Sequence, residues 1–287
     1  MPRASTCPTW LPDRDSTGPA GAACVPTRRA TGLFWRAIEA TLSVAIAPQC
    51  ASCAKPLHQV RGGPVCGACW LAIRPFTPPL CDACGDPLAT AHADADRLSL
   101  CRPCRQRPGA VGRARAIGHY DGTLCDIIHA FKYDTRRSIG TRLGALMAAD
   151  GRDVLDGADI AVPVPLHWWR RHRRGFNQAA VLAHQLGLPV CDSLRRTRHT
   201  PPQVRLPAGA RRRNVHAAFA LALRYRWPWL GWLCRDRART LSGLTVVLVD
   251  DVSTTGATLD ACAVVLMAAG VREVRALTSA RVASRPR

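Results

Sequence analysis

From Ala114 onward, short apolar runs alternate with longer stretches of helical spacing. Ala114–Tyr120 reads as a strand, Thr123–Tyr133 as a helix and Arg136–Gly151 as a second helix. Ile160-Ala-Val-Pro-Val164 is a short apolar strand, Asn177–Leu186 a helix, and Thr245–Val249 a strand of aliphatic residues. An apolar helix follows over Leu259–Ala269, then a strand over Glu273–Thr278. Strands that run apolar without alternation are buried on both faces. Their succession with helices predicts an α/β fold, a parallel sheet with helices on both faces. Ligands on such sheets sit at the carboxyl ends of the strands.

The first third of the chain lacks this rhythm. Residues 1–32 are rich in Pro, Gly, Ser and Thr and predict a disordered extension. Leu33–Ala47, interrupted by Arg36 and Glu39, reads as one amphipathic helix rather than a membrane span. The module from Gln49 to about Gln106 is broken by Gly62-Gly63-Pro64, Pro78-Pro79 and Gly85-Asp86-Pro87, as knuckles and short ribbons are. It is too poor in bulky apolar residues to fold unaided. Arg107-Pro-Gly109 is the joint, so the expected division is 1–32 extension, 33–106 helix plus cysteine module, and 110–287 α/β domain. With no signal-peptide pattern and no long uncharged apolar window, the expected location is cytoplasmic.

That location changes how the 14 cysteines are read. A cytoplasmic setting argues against a disulfide framework and for metal. Eight cysteines form four Cys-x-x-Cys pairs: Cys50/Cys53, Cys66/Cys69, Cys81/Cys84 and Cys101/Cys104. Each pair has the bite for one edge of a tetrahedral zinc site, and two pairs complete it. Two structural zinc ions are expected, with sequential or interleaved pairing both open. His58 and His92 read as surface residues, and Cys7, Cys24, Cys125, Cys191, Cys234 and Cys262 as isolated thiols.

The chemistry concentrates at Val246-Val-Leu-Val-Asp-Asp-Val-Ser-Thr-Thr-Gly-Ala-Thr258. Asp250 and Asp251 follow the strand where it leaves the core. Ser253, Thr254, Thr255, Gly256, Ala257 and Thr258 then form a loop opening into a helix. A helix N-terminus offers unpaired N–H groups and a positive dipole, so such a loop cradles phosphate. Gly256 lets the backbone approach a ligand, and the hydroxyls add donors. Paired carboxylates beside the cradle suit the hydroxyls of a sugar phosphate. No Gly-Lys-Ser/Thr follows, which excludes a P-loop, and no Gly-x-Gly-x-x-Gly is present. The plain alternative is a βα junction with a polar loop.

Charge adds a second basic locus. The net charge is +20, of which residues 105–287 carry +17, from thirty basic and thirteen acidic residues. Ile160–Thr240 alone holds sixteen Arg against Asp192 and Asp236. Such a field attracts pyrophosphate-bearing ligands or nucleic acid. Within it, His167-Trp-Trp-Arg-Arg-His-Arg-Arg-Gly-Phe-Asn-Gln178 reads as a basic loop before a helix, with Arg171, Arg174 and Gly175 placed for pyrophosphate. Arg195–Phe219, rich in Pro and Arg, reads as a mobile flap. Lys132 is one of two lysines and is expected as a compact ammonium near the phosphate site.

The acidic pair with its hydroxyl loop resembles the phosphoribosyl pyrophosphate (PRPP) site of the type I phosphoribosyltransferases. The whole chain resembles the ComF family of competence-associated proteins. The likeness rests on the Cys-x-x-Cys series, His129-Ala-Phe-Lys-Tyr133, Val162-Pro-Val-Pro and Arg174-Gly-Phe-Asn-Gln178. It continues with Thr200-Pro-Pro-Gln203, Arg213-Asn214 with Phe219, and Val249-Asp-Asp-Val-Ser-Thr-Thr-Gly-Ala-Thr258, covering about residues 34–282. It implies a type I phosphoribosyltransferase-like sheet preceded by a double zinc ribbon, and Mg²⁺ bound with PRPP. Two departures are the N-terminal extension and the stretch Leu223–Arg237, where Trp227, Trp229 and Trp232 interleave with Arg. That stretch reads as a partly buried hairpin insert, or as a surface for bases or a membrane.

Two functions follow. One is transfer of a phosphoribosyl group with release of pyrophosphate, linked to DNA uptake. The other is a non-catalytic adaptor for single-stranded DNA and DNA-uptake proteins, with PRPP or a nucleotide as regulatory ligand. The acceptor and the oligomeric state are not legible.

Overall fold

A computed structural model describes residues 48–57, 63–88, 99–133, 136–197, 218–226 and 241–282. The expected extension 1–32, the helix 33–47, His58, His92, Cys7, Cys24 and Cys234 lie outside the described residues, as do most of the flap and of the Trp/Arg insert. Two short helices stand in the cysteine module, α1 (Gly67–Leu71) and α2 (Arg102–Gln106). The α/β part then runs β1 (Arg113–His119), α3 (Gly122–Tyr133), α4 (Ser138–Asp150), α5 (Arg152–Leu155), β2 (Ile160–Pro163), α6 (Trp168–Arg174) and α7 (Gln178–Ala183). After β3 (Leu194–Arg196), β4 (Phe219–Leu221) and α8 (Leu223–Arg226) come β5 (Thr245–Ser253), α9 (Ala257–Ala268) and β6 (Glu273–Arg281).

The sheet is the parallel one expected, in the order β1-β6-β5-β2. Successive residues of β5 point to opposite faces, and both faces are covered. Val247 and Val249 pack with α3, α4 and α7 through Phe131, Leu143 and Leu182. Val246 and Leu248 pack with α9 through Leu259, Cys262 and Leu266. This two-sided burial is why β5 reads as an unbroken apolar run. It also sets where the polar end can lie, because Val249 is fully buried and Asp250 is not.

Three elements differ from the sequence reading. The strand expected to stop at Val249 continues to Ser253, so both acids belong to the ladder itself, with Asp250 in register with Thr278. The basic run 168–174 is a short helix rather than a loop, with Arg171, His172, Arg173 and Arg174 in its last turn. Cations at a helix C-terminus complement the dipole, and Gly175, at φ 73°, ends the helix in a conformation that favours glycine. The base of the flap is an antiparallel pair, β3 with β4.

The cysteine module packs directly on the sheet. Cys50, Val65, Cys69 and Trp70 belong to the same hydrophobic cluster as Leu124, Ile127 and Ile128 of α3. Arg142 of α4 lies over the Trp70 ring at 4.9 Å. Pro75 bridges Gly118 antiparallel to β1, and the His119 N–H donates to the Arg74 carbonyl at 3.2 Å. Arg115 Nη1 donates to the carbonyls of Cys81 and Asp82, each at 3.3 Å. A segment with little apolar content of its own thus shares the core of its neighbour.

The docking is close enough to fix one residue type. A Cβ at Gly118 would stand 2.2 Å from the Arg74 carbonyl oxygen, a backbone atom. Gly118→Ala is expected to lower stability by about 1–3 kcal/mol, the usual cost of overpacking. Urea denaturation of the zinc-loaded protein measures it, and an unchanged midpoint would mean that the Arg74–Pro75 segment is free to move away.

Candidate functional site

At its carboxyl end β5 delivers Asp250 and Asp251 side by side, half-buried. The Asp251 N–H donates to Asp250 Oδ1 at 2.8 Å. Lys132, near the end of α3, brings its Nζ to 3.0 Å from Asp251 Oδ1, and the two side chains are only 12% and 13% exposed. Lys132 thus pairs directly with Asp251, and its charge also bears on Asp250. Desolvation pushes the Asp250 carboxyl up to about 7, and the Asp251 charge adds to it. The Asp251 N–H, Lys132 and Arg196 pull the other way and do not prevail.

The loop beyond leads to an open helix N-terminus. Ser253 and Ala257 are buried, while Thr254, Thr255, Gly256 and Thr258 are half-buried. Gly256, at φ 75°, is the N-cap of α9 and supplies no side chain to its first-turn N–H groups. A Cβ there would meet nothing within 4 Å, so the glycine serves its left-handed backbone, and the space above it is open. Thr255 Oγ1 is buried without a hydrogen-bond partner among the described residues. A buried hydroxyl left unpaired is uncommon and is available to a ligand or a water.

An aromatic and basic strip leads away from Lys132. Its Nζ lies 6.0 Å from the centre of the Tyr120 ring. Tyr120 Oη and His129 Nε2 are 3.1 Å apart, and the His129 and Tyr133 rings are centred 5.7 Å apart. The Arg174 guanidinium covers the Tyr133 ring at 5.1 Å and donates to its hydroxyl at 3.3 Å. Arg174 is thus linked to Lys132 through the rings of Tyr133, His129 and Tyr120. Arg171 and Gly175 are exposed, and Gly175 receives a hydrogen bond from Arg137 Nη2 at 3.5 Å on its carbonyl. Asn177 fastens this turn to the end of β2, donating through Nδ2 to the Val164 carbonyl at 3.2 Å.

The eight paired cysteines form two clusters, Cys50/Cys53/Cys66/Cys69 and Cys81/Cys84/Cys101/Cys104, which settles the pairing as sequential. Within each cluster the sulfurs lie within 4.8 Å of one another. Close pairs are 3.8 Å (Cys50–Cys69 and Cys53–Cys66) and 3.6 Å (Cys84–Cys101). A tetrahedron of zinc–sulfur bonds of about 2.3 Å has edges of about 3.8 Å, whereas a disulfide bond is about 2.05 Å. Backbone N–H groups turn inward to the sulfurs, Cys66 to Cys50 and Cys101 to Cys81, both at 3.3 Å. The donor set fits zinc with all four positions taken by protein, a structural rather than catalytic geometry. Of the isolated cysteines, Cys191 and Cys262 are buried and Cys125 is partly buried.

Known proteins carry the same two parts in the same order. Residues 41–105 match the family model described as a double zinc ribbon domain, and residues 172–287 that of a phosphoribosyl transferase domain. The chain is 31% identical to the competence protein F of Haemophilus influenzae, over 81% of this chain and 96% of that protein. It is 33% identical to the DNA utilization protein YhgH of Salmonella typhimurium, over 79% and 93% respectively. Against the competence protein ComFC of Bacillus subtilis it is 26% identical, over 72% and 79%. The chain belongs to the ComF family. This ComF-family chain thus joins a double zinc ribbon to a phosphoribosyltransferase domain, and no described helix is long and apolar enough to cross a membrane.

Sequence reasoning missed two residues of the site. Arg281, the last residue of β6, is in register with Ser253 and donates to its Oγ at 3.2 Å. Its other nitrogens pair with Asp86, Nε to Oδ1 and Nη2 to Oδ2. Arg281 lies three positions past the expected strand end, and Asp86 sits in a Gly-Asp-Pro turn, so neither stands out in the sequence.

Two outcomes are expected. The purified protein carries two zinc ions, and Cys84→Ser removes one of them, as metal analysis would show; a protein purified without chelator and free of zinc would contradict the clusters' assignment. The second concerns pH. The folded protein holds a proton on Asp250 up to about 7, against an ordinary value of 3.8. The native state therefore binds more protons than the unfolded chain across that window, and stability falls as pH rises through it. Asp250→Asn should stabilise the protein at about pH 8 by at least about 1 kcal/mol more than at about pH 5. Urea denaturation at the two pH values would show an equal effect if the carboxyl were not perturbed.

Proposed function

We propose that this ComF-family protein binds PRPP at the carboxyl end of β5 and transfers its phosphoribosyl group to a nitrogen nucleophile. The observation that carries the proposal is the junction of a carboxylate pair with an open, glycine-capped helix N-terminus holding an unpaired Thr255 hydroxyl. Asp250 and Asp251 accept hydrogen bonds from the ribose hydroxyls, and the 253–258 loop holds the 5′-phosphate. Lys132 and Arg174, with Arg171 and Gly175 at the end of α6, face the pyrophosphate. Pyrophosphate draws on Lys132 in competition with Asp251, so ligand entry exchanges one ion pair for another.

The transfer is a substitution at the anomeric carbon. The bond from C1 to the pyrophosphate oxygen breaks, the bond from C1 to the acceptor nitrogen forms, and the nitrogen sheds a proton. The oxocarbenium-like transition state is positive at the ring, so the nearby carboxylates favour it, and the basic groups favour the departing anion. The adjacent carboxylates are hard oxygen donors at the end of one strand, a donor set that fits a magnesium ion. Magnesium, when bound, neutralises charge on the pyrophosphate. The names of the relatives, competence and DNA utilization proteins, support a link to DNA uptake.

Calorimetry of Mg²⁺ with PRPP tests the assignment. The zinc-loaded wild type should bind, and Asp250→Asn/Asp251→Asn should weaken binding at least about a hundredfold, as loss of two charge-assisted contacts implies. An unaffected double variant would place the ligand elsewhere. A folded wild type with no heat of binding would favour the single-stranded DNA adaptor, to which the basic segment and the Arg174–Tyr133 strip would then belong.

A further inference from the structure

The second ribbon and the phosphate loop are joined by one buried chain of contacts, Asp86–Arg281–Ser253. Both charged side chains are nearly closed to solvent, Arg281 at 10% and Asp86 at 8% exposure. A guanidinium held there needs its partner, because a buried charge without compensation is costly. Desolvation works against its charge, and the hydrogen bonds and charge of Asp86 work for it. Asp86 of the second knuckle and Ser253 at the end of β5 are thus bound by the one guanidinium.

The ribbon fixes the far end of this chain. The Gly85 N–H donates to the Cys81 carbonyl at 2.9 Å, and the Cys81 N–H to the Asp86 carbonyl at 2.8 Å. Gly85 has φ 75°, and a Cβ on it would stand 2.7 Å from the Ala114 carbonyl oxygen of β1. The knuckle that carries two cluster ligands therefore presents Asp86 in one place against the sheet. At the near end, Ser253 is buried, is the last residue of β5, and lies three positions before Gly256. Its carbonyl accepts from the Val282 N–H at 2.9 Å, so side chain and backbone both lean on the end of β6.

We propose that Asp86 and Arg281 are positioning residues through which the metal-loaded second ribbon fixes Ser253 and the entrance of the phosphate loop. The ribbon is then a regulatory part of the site, and loss of its metal loosens the loop. A mere adhesive role would not need the third contact, since an apolar pair of similar volume holds two surfaces together equally well. The proposal rests on reading the 253–258 loop as the 5′-phosphate cradle only for its consequence on ligand binding, and its structural half is measurable without ligand.

The test is amide hydrogen exchange of the loop 253–258 against the β5 core 246–249, in full-length protein of verified zinc content. Asp86→Asn with both zinc ions retained should speed loop exchange about tenfold while the core stays at its wild-type rate, a tenfold change being about 1.4 kcal/mol of coupling. Mg²⁺-PRPP affinity should fall about as much. Ser253→Ala should do the same, and the double variant should be no worse than either single one, as residues of one chain are not additive. Cys84→Ser, which empties the second cluster, should reproduce the looser loop. Wild-type loop exchange in Asp86→Asn, or effects that multiply in the double variant, would overturn the proposal. Should Asp86→Asn lose its zinc, Arg281→Gln replaces it and is judged by the same rates. Failure of wild type to bind PRPP would remove the cradle reading and leave the exchange rates to decide the relay.

Discussion

A strand covered on both faces tolerates polar side chains only where it leaves the core, and β5 leaves it between Val249 and Asp250. The acids, Lys132 and the 253–258 loop are arranged around that point. Helices α3, α4 and α7 on one face and α9 on the other enclose Val246–Val249. The ladder with β6 nevertheless continues to Ser253, so the acids are held by backbone pairing and not by a loop. Sites on strand ends keep their geometry better than sites on loops. The cradle follows within three residues, so its position relative to the acids has little room to vary.

That arrangement stores electrostatic cost. Lys132 pairs with Asp251, and the pair is screened poorly because both partners are mostly buried. Asp250 bears the cost of desolvation, with the Asp251 charge adding to it. A site built only for stability would not place acids this way. The cost is reasonable where a cationic or polyhydroxyl ligand completes the set, since it is then recovered as binding energy.

The sheet was legible because its strands are buried on both faces and its helices are not, which leaves unbroken apolar runs between amphipathic ones. The cysteine clusters were legible because a metal demands fixed spacing. Lys132 was found by rarity, and the structure sets it on Asp251. The helix at 168–174 was not legible: Trp168-Trp-Arg-Arg-His-Arg-Arg has no apolar stripe, and it forms through capping by His167, whose ring accepts from the Trp169 N–H at 3.4 Å, and by Gly175. Sequential pairing of the cysteines, the β3–β4 base of the flap and the Asp86–Arg281 pair are contacts between distant segments. Periodicity carries no information about these, since each depends on which surfaces meet after folding.

The ribbon and the sheet domain are therefore better understood as mutually completing than as a module and its appendage. The ribbon contributes Cys50, Val65, Cys69 and Trp70 to a core it could not close alone. The sheet contributes Arg115 to the carbonyls of Cys81 and Asp82, where the second knuckle turns. The Arg275 and Glu273 pair at the other end of β6 is more open to solvent, and Arg275 joins β6 to the carbonyls of Val154 and Asp156 at the end of α5. Arg281, by contrast, is buried where three segments converge, the knuckle, β6 and the end of β5. An ion pair at such a point does more than hold two faces together, because its geometry is transmitted to the third segment. In this fold that third segment leads into the 253–258 loop.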